Sequence, residues 1–398
     1  MDRQKREIDL LDGALYVNDP YPTYAWMREH APAYWDAGNE LWGISRYDDI
    51  VEIEKRKDIF VNSNTTKGGY RPNIPADPSI IGLDDPKHAE RRNLVSRRFT
   101  PRAVTRWDDH VHQTATALVD AAVAKGRIDV VEDLAAPLPA QMIGFLLGFP
   151  DEAWPQLKEW SERTIHLGGG PRYHDDDGIA AAFEFAAATA QLYDAKKGCP
   201  ADDVMSFYLE VEQRGLQHQG FGIDEIISDS LLLLDGGAET TRTVIARTIL
   251  GLADHPDQWE ALKAGADIDV AVEEFIRWVT PILNMCRVAD QDYEIGGETV
   301  RAGQQVVLMY PSANRDEDHF DDPDALDVTR HPNHHIAFGF GTHFCLGASL
   351  ARLEIKAVFQ ELLAKVDRFE RPADGAVVDI PNSFVYGVKH ADITIVPN

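Results

Sequence analysis

Cys345 and its neighbours form the part of the sequence best suited to bind a metal. The segment 338–347 reads Phe-Gly-Phe-Gly-Thr-His-Phe-Cys-Leu-Gly, and an amphipathic helical pattern follows it directly. A cysteine at a helix N-terminus meets free backbone N–H groups and the positive end of the helix dipole, which favour the metal-binding thiolate. Gly339 and Gly341 permit backbone angles that other residues avoid, and Gly347 leaves room for a flat ligand. The segment therefore predicts a thiolate metal ligand beside a flat group.

Two other interpretations of Cys345 are open. A cysteine can pack as a small hydrophobic residue, although the glycine pattern and the preceding histidine are more typical of a ligand loop. The second is a zinc site, and the nearby histidines that could complete it are His331, His334, His335 and His343. Their spacing does not match the paired Cys and His ligands of structural zinc sites, so this interpretation is disfavoured.

A second pattern lies in the middle of a long helical segment. Residues 223–250 predict one helix, and its centre reads Gly-Gly-Ala-Glu-Thr-Thr at 236–241. Each glycine costs about 1 kcal/mol relative to alanine inside a helix. The glycine pair therefore indicates either a kink or groove, or a site where another element crosses closely. The acid–alcohol pair that follows, Glu239 and Thr240, favours a functional groove.

Helical patterns dominate the rest of the chain. They cover Tyr21 to His30, Tyr47 to Lys57, Lys87 to Phe99, much of 105–265, Val270 to Val279, and the stretch after Cys345 to about Lys365. Extended patterns cover Leu41 to Ser45, Asp292 to Ile295, Gln305 to Tyr310, and short runs near Phe384 and Ile393. The stretch 61–86 is rich in Gly, Pro, Asn and Asp and predicts a long loop, whose length suggests a functional lid. The predicted class is mainly α.

The overall charge excludes several classes of function. The formal net charge is −27 over 398 residues. Nucleic acid and anionic lipid both attract basic surfaces, so neither is an expected partner. No apolar run is long enough for a signal peptide or a membrane anchor, and three widely spaced cysteines do not make a disulfide framework. These features predict a cytoplasmic protein with reduced thiols.

The Cys345 segment resembles the haem-binding loop of the cytochrome P450 family, in which a glycine-rich turn presents the axial cysteine. Other family landmarks follow in the expected order, and the likeness covers nearly the whole chain from about residue 10. The resemblance implies a mainly α cytochrome P450 fold, a helical triangular prism with a small β region. It further implies that residues 1–398 form a single haem domain of a monooxygenase, which inserts one oxygen atom of O2 into a hydrophobic small molecule.

The same resemblance assigns a haem b site. The residues it implies for cofactor binding are His88, Arg92, Gly236, Arg287, Phe338, Gly339, His343, Cys345 and Gly347. Cys345 would be the ligand to iron, and the histidines and arginines would contact the two propionates. An arginine fork can bind a carboxylate with two hydrogen bonds.

Catalytic and structural roles also follow from the resemblance. Thr240 would hydrogen-bond dioxygen, and Glu239, where many relatives carry Asp, would relay protons inward. The run Glu274-Phe275-Ile276-Arg277 matches the family's ExxR motif. With Arg330, Glu274 and Arg277 would form a buried ion network beneath the haem.

The resemblance places the protein among soluble bacterial-type members, with a monomer as the expected state. Such members draw electrons from NAD(P)H through a ferredoxin and its reductase. The arginines that could dock a ferredoxin are Arg91, Arg92, Arg97, Arg98, Arg102 and Arg106. The alternative is that this cluster is ordinary solubilising charge.

The expected substrate contacts are chiefly apolar. They are Tyr70, Leu83, Leu233, Leu283, Met285 and Phe384. Short motifs at 284–288, 240–242 and 312–314 resemble actinobacterial sterol side-chain hydroxylases, whereas 168–171 and 174–177 depart from that group. A steroid or sterol side chain is therefore the first expectation. The alternatives are a terpenoid or a fatty acid, a peroxygenase reaction, or a haem-binding sensor without turnover.

Overall fold

Helices make up most of the computed structural model, which describes residues 6–64, 68–213 and 222–398. The helices are α1 (Gly13–Val17), α2 (Tyr21–His30), α3 (Tyr47–Lys55), α4 (Lys87–Ser96), α5 (Pro101–Val104), α6 (Asp108–Lys125), α7 (Pro137–Leu147), α8 (Trp154–Thr164), α9 (Asp176–Lys196), α10 (Val204–Gln213), α11 (Ile223–Asp254), α12 (Pro256–Lys263), α13 (Ile268–Val279), α14 (Tyr310–Ala313) and α15 (Ala348–Lys365). The strands are β1 (Ala33–Asp36), β2 (Leu41–Ile44), β3 (Phe60–Val61), β4 (Arg127–Asp129), β5 (Met285–Ala289), β6 (Tyr293–Ile295), β7 (Glu298–Val300), β8 (Gln305–Leu308), β9 (Val366–Glu370), β10 (Val377–Asp379) and β11 (Val388–Pro397). The mainly α expectation is confirmed.

Small sheets tie distant parts of the chain together. The largest has the order β1-β2-β8-β5-β3, in which β2 and β8 run parallel and the other pairs run antiparallel. In a second sheet β11 pairs with β4, β9 and β10. The strands are buried where they meet the helices: every residue of β2 and β8 lies in the interior. The first sheet thereby holds β5, with Met285, against the central cavity.

The helical core forms around α11. Helices α6, α7, α13 and α15 pack on it or on one another, and their apolar faces supply one continuous buried cluster. Representative side chains of that cluster are Val111, Leu138, Ile245, Phe275 and Phe359. Burial of such faces, rather than intrinsic propensity, accounts for most of the stability of helices in proteins. This packing surrounds the cavity described below on several sides.

Helix α11 is longer than the sequence predicts. It spans 32 residues and ends at Asp254, four residues beyond the predicted end at Leu250. Gly251, the residue after the predicted end, lies inside the helix, where a Cβ atom would stand 2.8 Å from the ring of Trp278. The glycine is therefore a close-packing residue for α13, and the helix ends where Pro256 starts α12.

Other boundaries differ by a few residues. Residues 65–67 of the predicted 61–86 loop lie outside the described residues, and the remainder contains a short 3₁₀ turn at Ile80–Gly82. Helix α4 ends at Ser96 rather than Phe99, because Pro101 opens a separate turn. Near Phe384 the extended pattern forms only a single bridge, between Ile282 and Val385. No helix in the described ranges is long and apolar enough to cross a membrane.

Candidate active site

The Cys345 loop is a tight turn that delivers its sulfur to the start of α15. The backbone N–H of Cys345 donates to the carbonyl of Phe338 at 2.8 Å, which closes the loop. Gly339 and Gly341 have φ values of +71° and +68°, a region that favours glycine. A Cβ atom on Gly347 would meet nothing within 4 Å, so the space beside the sulfur is open.

Burial decides the protonation of the free Cys345 thiol. It raises the pKa of the thiol above its ordinary value, although hydrogen bonds from the backbone of Gly347 and the charge of Arg92 pull the pKa down. The expected helix-end donors are present, but desolvation outweighs them. A bound metal ion changes this balance, because a coordinating thiol is deprotonated outright. The site favours a thiolate only together with its metal.

Polar donors gather at one edge of the same cavity. The rings of His88 and His343 lie 4.1 Å apart between centroids, and Arg92, which also lines the cavity, donates to the carbonyl of Phe344. Nδ1 of His88 lies 3.5 Å from the carboxylate of Asp85, whereas Nε2 of His88 and Nδ1 of His343 make no hydrogen bond within the described residues. Burial lowers the pKa of both histidines. We call His88, Arg92 and His343 the donor group.

Arg287 lies beside the donor group but is already paired. Its guanidinium donates to the carboxylate of Glu54 at 2.8 Å and to its own chain at Cys286. Tyr310 also donates to Glu54, at 2.6 Å. Arg287 lines the cavity, with less free donor capacity than Arg92.

The ExxR residues and Arg330 meet in the interior. Arg277 donates to both carboxylate oxygens of Glu274, at 2.7 and 2.8 Å, and Arg330 donates to the same oxygens at 3.2 and 3.1 Å. Glu274 and Arg277 are fully buried. The remaining N–H groups donate to backbone carbonyls, including those of Asn314 and Ala325. We call Glu274, Arg277 and Arg330 the ion network; it is complete within the protein.

The two glycines at the centre of α11 serve different purposes. A Cβ atom on Gly236 would meet nothing within 4 Å, so this residue faces the cavity. A Cβ atom on Gly237 would stand 3.1 Å from Ile143 of α7, so this residue permits close packing. Thr240 lines the cavity, and its hydroxyl donates to the carbonyl of Gly236 at 2.8 Å. Such a bond within a helix bends it slightly.

Glu239 points away from the cavity. Its buried carboxylate pairs with Arg242, which also binds Glu162, and Lys158 lies 2.9 Å from Glu162. Burial raises the pKa of Glu239 to about 7, against the charge of Arg242, which lowers it. The side chain of Glu162 is 29% exposed. A chain of ionisable groups therefore connects the surface to the residue next to Thr240.

Most, but not all, of the predicted substrate contacts line the cavity. Tyr70, Leu233, Met285 and Phe384 do. Leu83 does not, because the 3₁₀ turn before it directs Ile80 and Ile81 inward instead. Leu83 therefore lies outside the cavity lining, and its contact with substrate stays a prediction.

Leu283 is the second predicted contact that does not line the cavity. It is buried in a separate apolar cluster with Leu10 and Tyr24. The chain is extended here, so successive side chains point to opposite sides. Ile282 and Phe384 face the cavity, and Leu283 faces away from it.

Three ionisable side chains of the cavity were not identified from the sequence. They are Arg71, Asp235 and Glu354. Glu354 lies on α15 and is buried, and burial raises its pKa to about 8. Asp235 precedes the glycine pair on a largely apolar helix face. A charged residue at that position could have been recognised as a candidate site residue. Arg71 stands in an irregular loop where no periodic pattern indicates direction.

Comparison with known proteins identifies the family. A family model described as Cytochrome P450 matches residues 268–392. The chain is 36% identical to a steroid C26-monooxygenase of Mycobacterium tuberculosis, over 98% of each protein. It is also similar to the solved structures of CYP109E1 from Bacillus megaterium with testosterone (TM-score 0.86, 32% identity, 94% of this chain and 97% of that one) and CYP268A2 from Mycobacterium marinum with pseudoionone (TM-score 0.87, 31% identity, 98% and 100%).

The chain belongs to the cytochrome P450 family, and it is a haem-dependent monooxygenase. The residues present fit the haem. Open space flanks Gly236 and Gly347, and the donor group contains buried nitrogens without partners, as two propionates require. The expected cofactor, fold and enzyme class are therefore confirmed.

Proposed function

We propose that this enzyme hydroxylates the side chain of a steroid. The observation that carries the proposal is full-length similarity to proteins named steroid C26-monooxygenase, at 36% identity over 98% of the chain. The cavity supports it, since its lining is predominantly apolar and includes Ile80, Ile143, Ile165, Val244 and Phe384. An apolar pocket with few polar groups suits a rigid hydrophobic ligand.

Cys345 and the donor group hold the haem in this proposal. Cys345 would supply the sulfur ligand to the iron, and His88, Arg92 and His343 would donate hydrogen bonds to the propionates, with Arg287 beside them. Phe338, Gly339 and Gly347 shape the surface against the ring, since all three line the cavity with Cys345. When bound, the haem supplies the iron that activates dioxygen. The ion network holds this part of the fold in place, and residues 1–398 form one haem domain.

Thr240 and Glu239 manage protons. The Thr240 hydroxyl borders the open space at Gly236, where it can pass a proton to a group bound there. Glu239, whose pKa is about 7, can both hold and release a proton near neutral pH. Arg242 pairs with both Glu239 and Glu162 and holds the Glu239 carboxylate in place without exchanging a proton itself.

Electrons come from NAD(P)H through a ferredoxin and its reductase, delivered to a monomeric P450 in the cytoplasm. Four of the six predicted docking arginines are engaged: Arg91 with Asp229, Arg92 with Phe344, and Arg98 and Arg106 with Asp202. Arg97 and Arg102 are exposed, and within the described ranges no ion pair engages them. We therefore narrow the docking surface to Arg97, Arg102 and Phe344, which is 41% exposed next to Cys345.

Reversal of these two charges tests the docking surface. Arg97→Glu with Arg102→Glu should slow reduction by ferredoxin roughly tenfold at low salt and remove most of the salt dependence. Reduction by dithionite should not change. Unaltered ferredoxin kinetics would refute this surface.

Substrate assignment is tested by spectra and by product analysis. The carbon-monoxide difference spectrum of the reduced protein should show the red-shifted band of a thiolate-bound haem, and Cys345→Ala should lose it. Titration with a sterol that retains its side chain should convert the haem to high spin, and turnover should yield a side-chain alcohol by mass spectrometry. Binding and turnover of terpenoids alone would instead favour the second candidate, which the pseudoionone complex of the M. marinum relative supports.

A further inference from the structure

Two opposite charges line the cavity in addition to the donor group. Arg71 and Asp235 both line the cavity. Arg71 lies 5.0 Å from the ring centroid of Tyr70 and 5.8 Å from that of Phe384. These two rings belong to the predicted substrate contacts, so the pair stands where substrate, rather than haem propionate, is expected.

The backbone of Arg71 is held firmly although it lies in a long loop. The side-chain amide of Gln305, on β8, donates to the carbonyls of Gly69 and Arg71 at 2.9 and 2.8 Å. The carbonyl of Tyr70 accepts from the backbone of Cys286 on β5 at 2.8 Å. The loop is thus attached to two sheet strands on either side of the arginine, which presents a preorganised guanidinium to the cavity.

Among the described residues, none accepts a hydrogen bond from the guanidinium of Arg71. Its Nε is buried and makes no hydrogen bond, and the described residues supply no ion pair to its terminal nitrogens. Leaving a buried charged donor without an acceptor is unfavourable, so such groups in native structures normally meet a ligand, an ion or water. The aromatic faces of Tyr70 and Phe384 attract the cation but accept no conventional hydrogen bond.

Asp235 is held by a different element. Thr164 at the end of α8 donates to one carboxylate oxygen at 2.7 Å. Burial raises the pKa of Asp235 to about 7, while Thr164 and the charge of Arg71 lower it. The aspartate and the arginine influence each other electrostatically without forming an ion pair, so a gap separates them.

We propose that Arg71, with Asp235 as a counter-charge, binds a neutral oxygen substituent of the substrate, a keto or hydroxyl group. The oxygen accepts from the guanidinium, and its position determines which carbon of an otherwise apolar ligand faces the haem. Arg71 is the contact residue, and the carboxylates of Asp77 and Asp235 together balance its charge. This inference rests on the proposed function for the choice of a steroid skeleton, but the anchoring chemistry does not depend on that skeleton.

Charge balance favours a neutral oxygen over a carboxylate. A carboxylate bound at Arg71 would stand close to Asp235, and like charges in a poorly solvated cavity repel each other strongly. A ketone or hydroxyl adds no charge and still satisfies the free donors. The pair therefore selects oxygenated neutral ligands and disfavours fatty acids.

Matched ligands test the anchor on the haem-loaded enzyme. Dissociation constants would be measured, by haem spectral shift and by calorimetry, for cholest-4-en-3-one against cholest-4-ene and for pseudoionone against the hydrocarbon of the same skeleton. We expect the wild type to bind at least one ketone roughly 10- to 100-fold more tightly than its hydrocarbon, the range of a hydrogen bond to a charged group. Arg71→Leu should reduce that ratio to about twofold or less, and Arg71→Lys should restore part of it.

A control variant separates anchoring from general loss of shape. Ile165→Val alters an apolar residue of the same cavity and should weaken the ketone and the hydrocarbon equally. A ketone preference that is absent in the wild type for both skeletons, or unchanged in Arg71→Leu, would overturn the inference. An Arg71-dependent preference seen only with pseudoionone would support the anchor and reject the steroid assignment.

The counter-charge has its own test. Asp235→Asn removes a negative charge beside Arg71 and keeps the acceptor for Thr164. This variant should bind palmitic acid severalfold more tightly than the wild type does, with no such gain for methyl palmitate. Equal affinity of the wild type for the acid and the ketone would show that Asp235 does not exclude carboxylates.

Discussion

The ion network and the donor group both place polar side chains inside the protein, but they differ in completeness. In the ion network, two guanidinium groups share the carboxylate of Glu274, and backbone carbonyls accept their other N–H groups. In the donor group, two imidazoles and Arg92 face the cavity; Nδ1 of His88 lies 3.5 Å from the carboxylate of Asp85, whereas Nε2 of His88 and Nδ1 of His343 make no hydrogen bond within the described residues. The first arrangement stabilises the fold, whereas the second is completed only by a bound acid.

The largest expected effect comes from opening the ion network. Glu274→Leu leaves two buried guanidinium groups facing each other, so the free energy of unfolding should fall by about 3–5 kcal/mol. Urea denaturation of haem-free and haem-loaded protein measures it. The matched control is Asp292→Ala, which removes an exposed pair with Arg301 and should cost less than about 1 kcal/mol. Similar losses of unfolding free energy in both variants would contradict the difference between the buried ion network and the exposed pair.

Glu354 extends the comparison to a buried acid that forms no hydrogen bond or ion pair within the described residues. Burial raises its pKa from 4.5 to about 8, so the folded state holds a proton that the unfolded state releases in this pH range. Stability should therefore fall as the pH rises from about 5 to 9, by an amount on the order of 3 kcal/mol. Glu354→Gln should flatten that slope in urea melts recorded across the pH range. An unchanged slope would mean that another group titrates.

Opening the donor group should affect haem retention rather than folding. Arg92→Leu or His88→Leu removes a donor to a propionate, and haem affinity should drop roughly 10- to 100-fold. The unfolding free energy of the haem-free chain should change by less than about 1 kcal/mol. Haem transfer to apomyoglobin measures the first quantity, with the exposed Arg97→Leu as control. Destabilisation of the haem-free chain without haem loss would place these residues with the structural network.

The smallest expected effect concerns the two glycines of α11, one of which faces open space while the other packs against a neighbouring helix. Gly236→Ala adds a methyl group to open space and should stabilise the haem-free chain by about 0.5–1 kcal/mol. Gly237→Ala presses on Ile143 at 3.1 Å, so the gain should be reduced or reversed. Thermal melts of the two variants would show equal gains if both glycines faced open space.

Local patterns predicted much of the site. The glycines around Cys345, the acid–alcohol pair on α11 and the ExxR run each lie within one short segment, and their spacing places them on one turn or one helix face. The long apolar periodicity of α11 and α15 made those helices recognisable. Their ends were less predictable, because Gly251 serves packing against Trp278 rather than termination.

Local sequence patterns did not predict the contacts between segments that are distant in the chain. Leu83 and Leu283 were apolar and well placed in the chain, yet the turn before one and the strand alternation at the other direct them elsewhere. Asp235 stands before the glycine pair on an apolar helix face, but Arg71 and Glu354 carried no local signal of the cavity, and the ion pairs of Arg98 and Arg106 with Asp202 were equally hidden.

The chemistry of the cofactor site thus follows from short-range order. Backbone geometry and helical periodicity act over a few residues. Residue types at close spacing therefore predict a thiolate ligand and the helix that follows it. The partners of each buried charge follow from long-range packing instead. The apolar core brings particular helices and loops together, and this packing decides whether a guanidinium meets Glu274, Asp202 or open space. A paired guanidinium stabilises the fold, whereas an unpaired one remains free for a ligand.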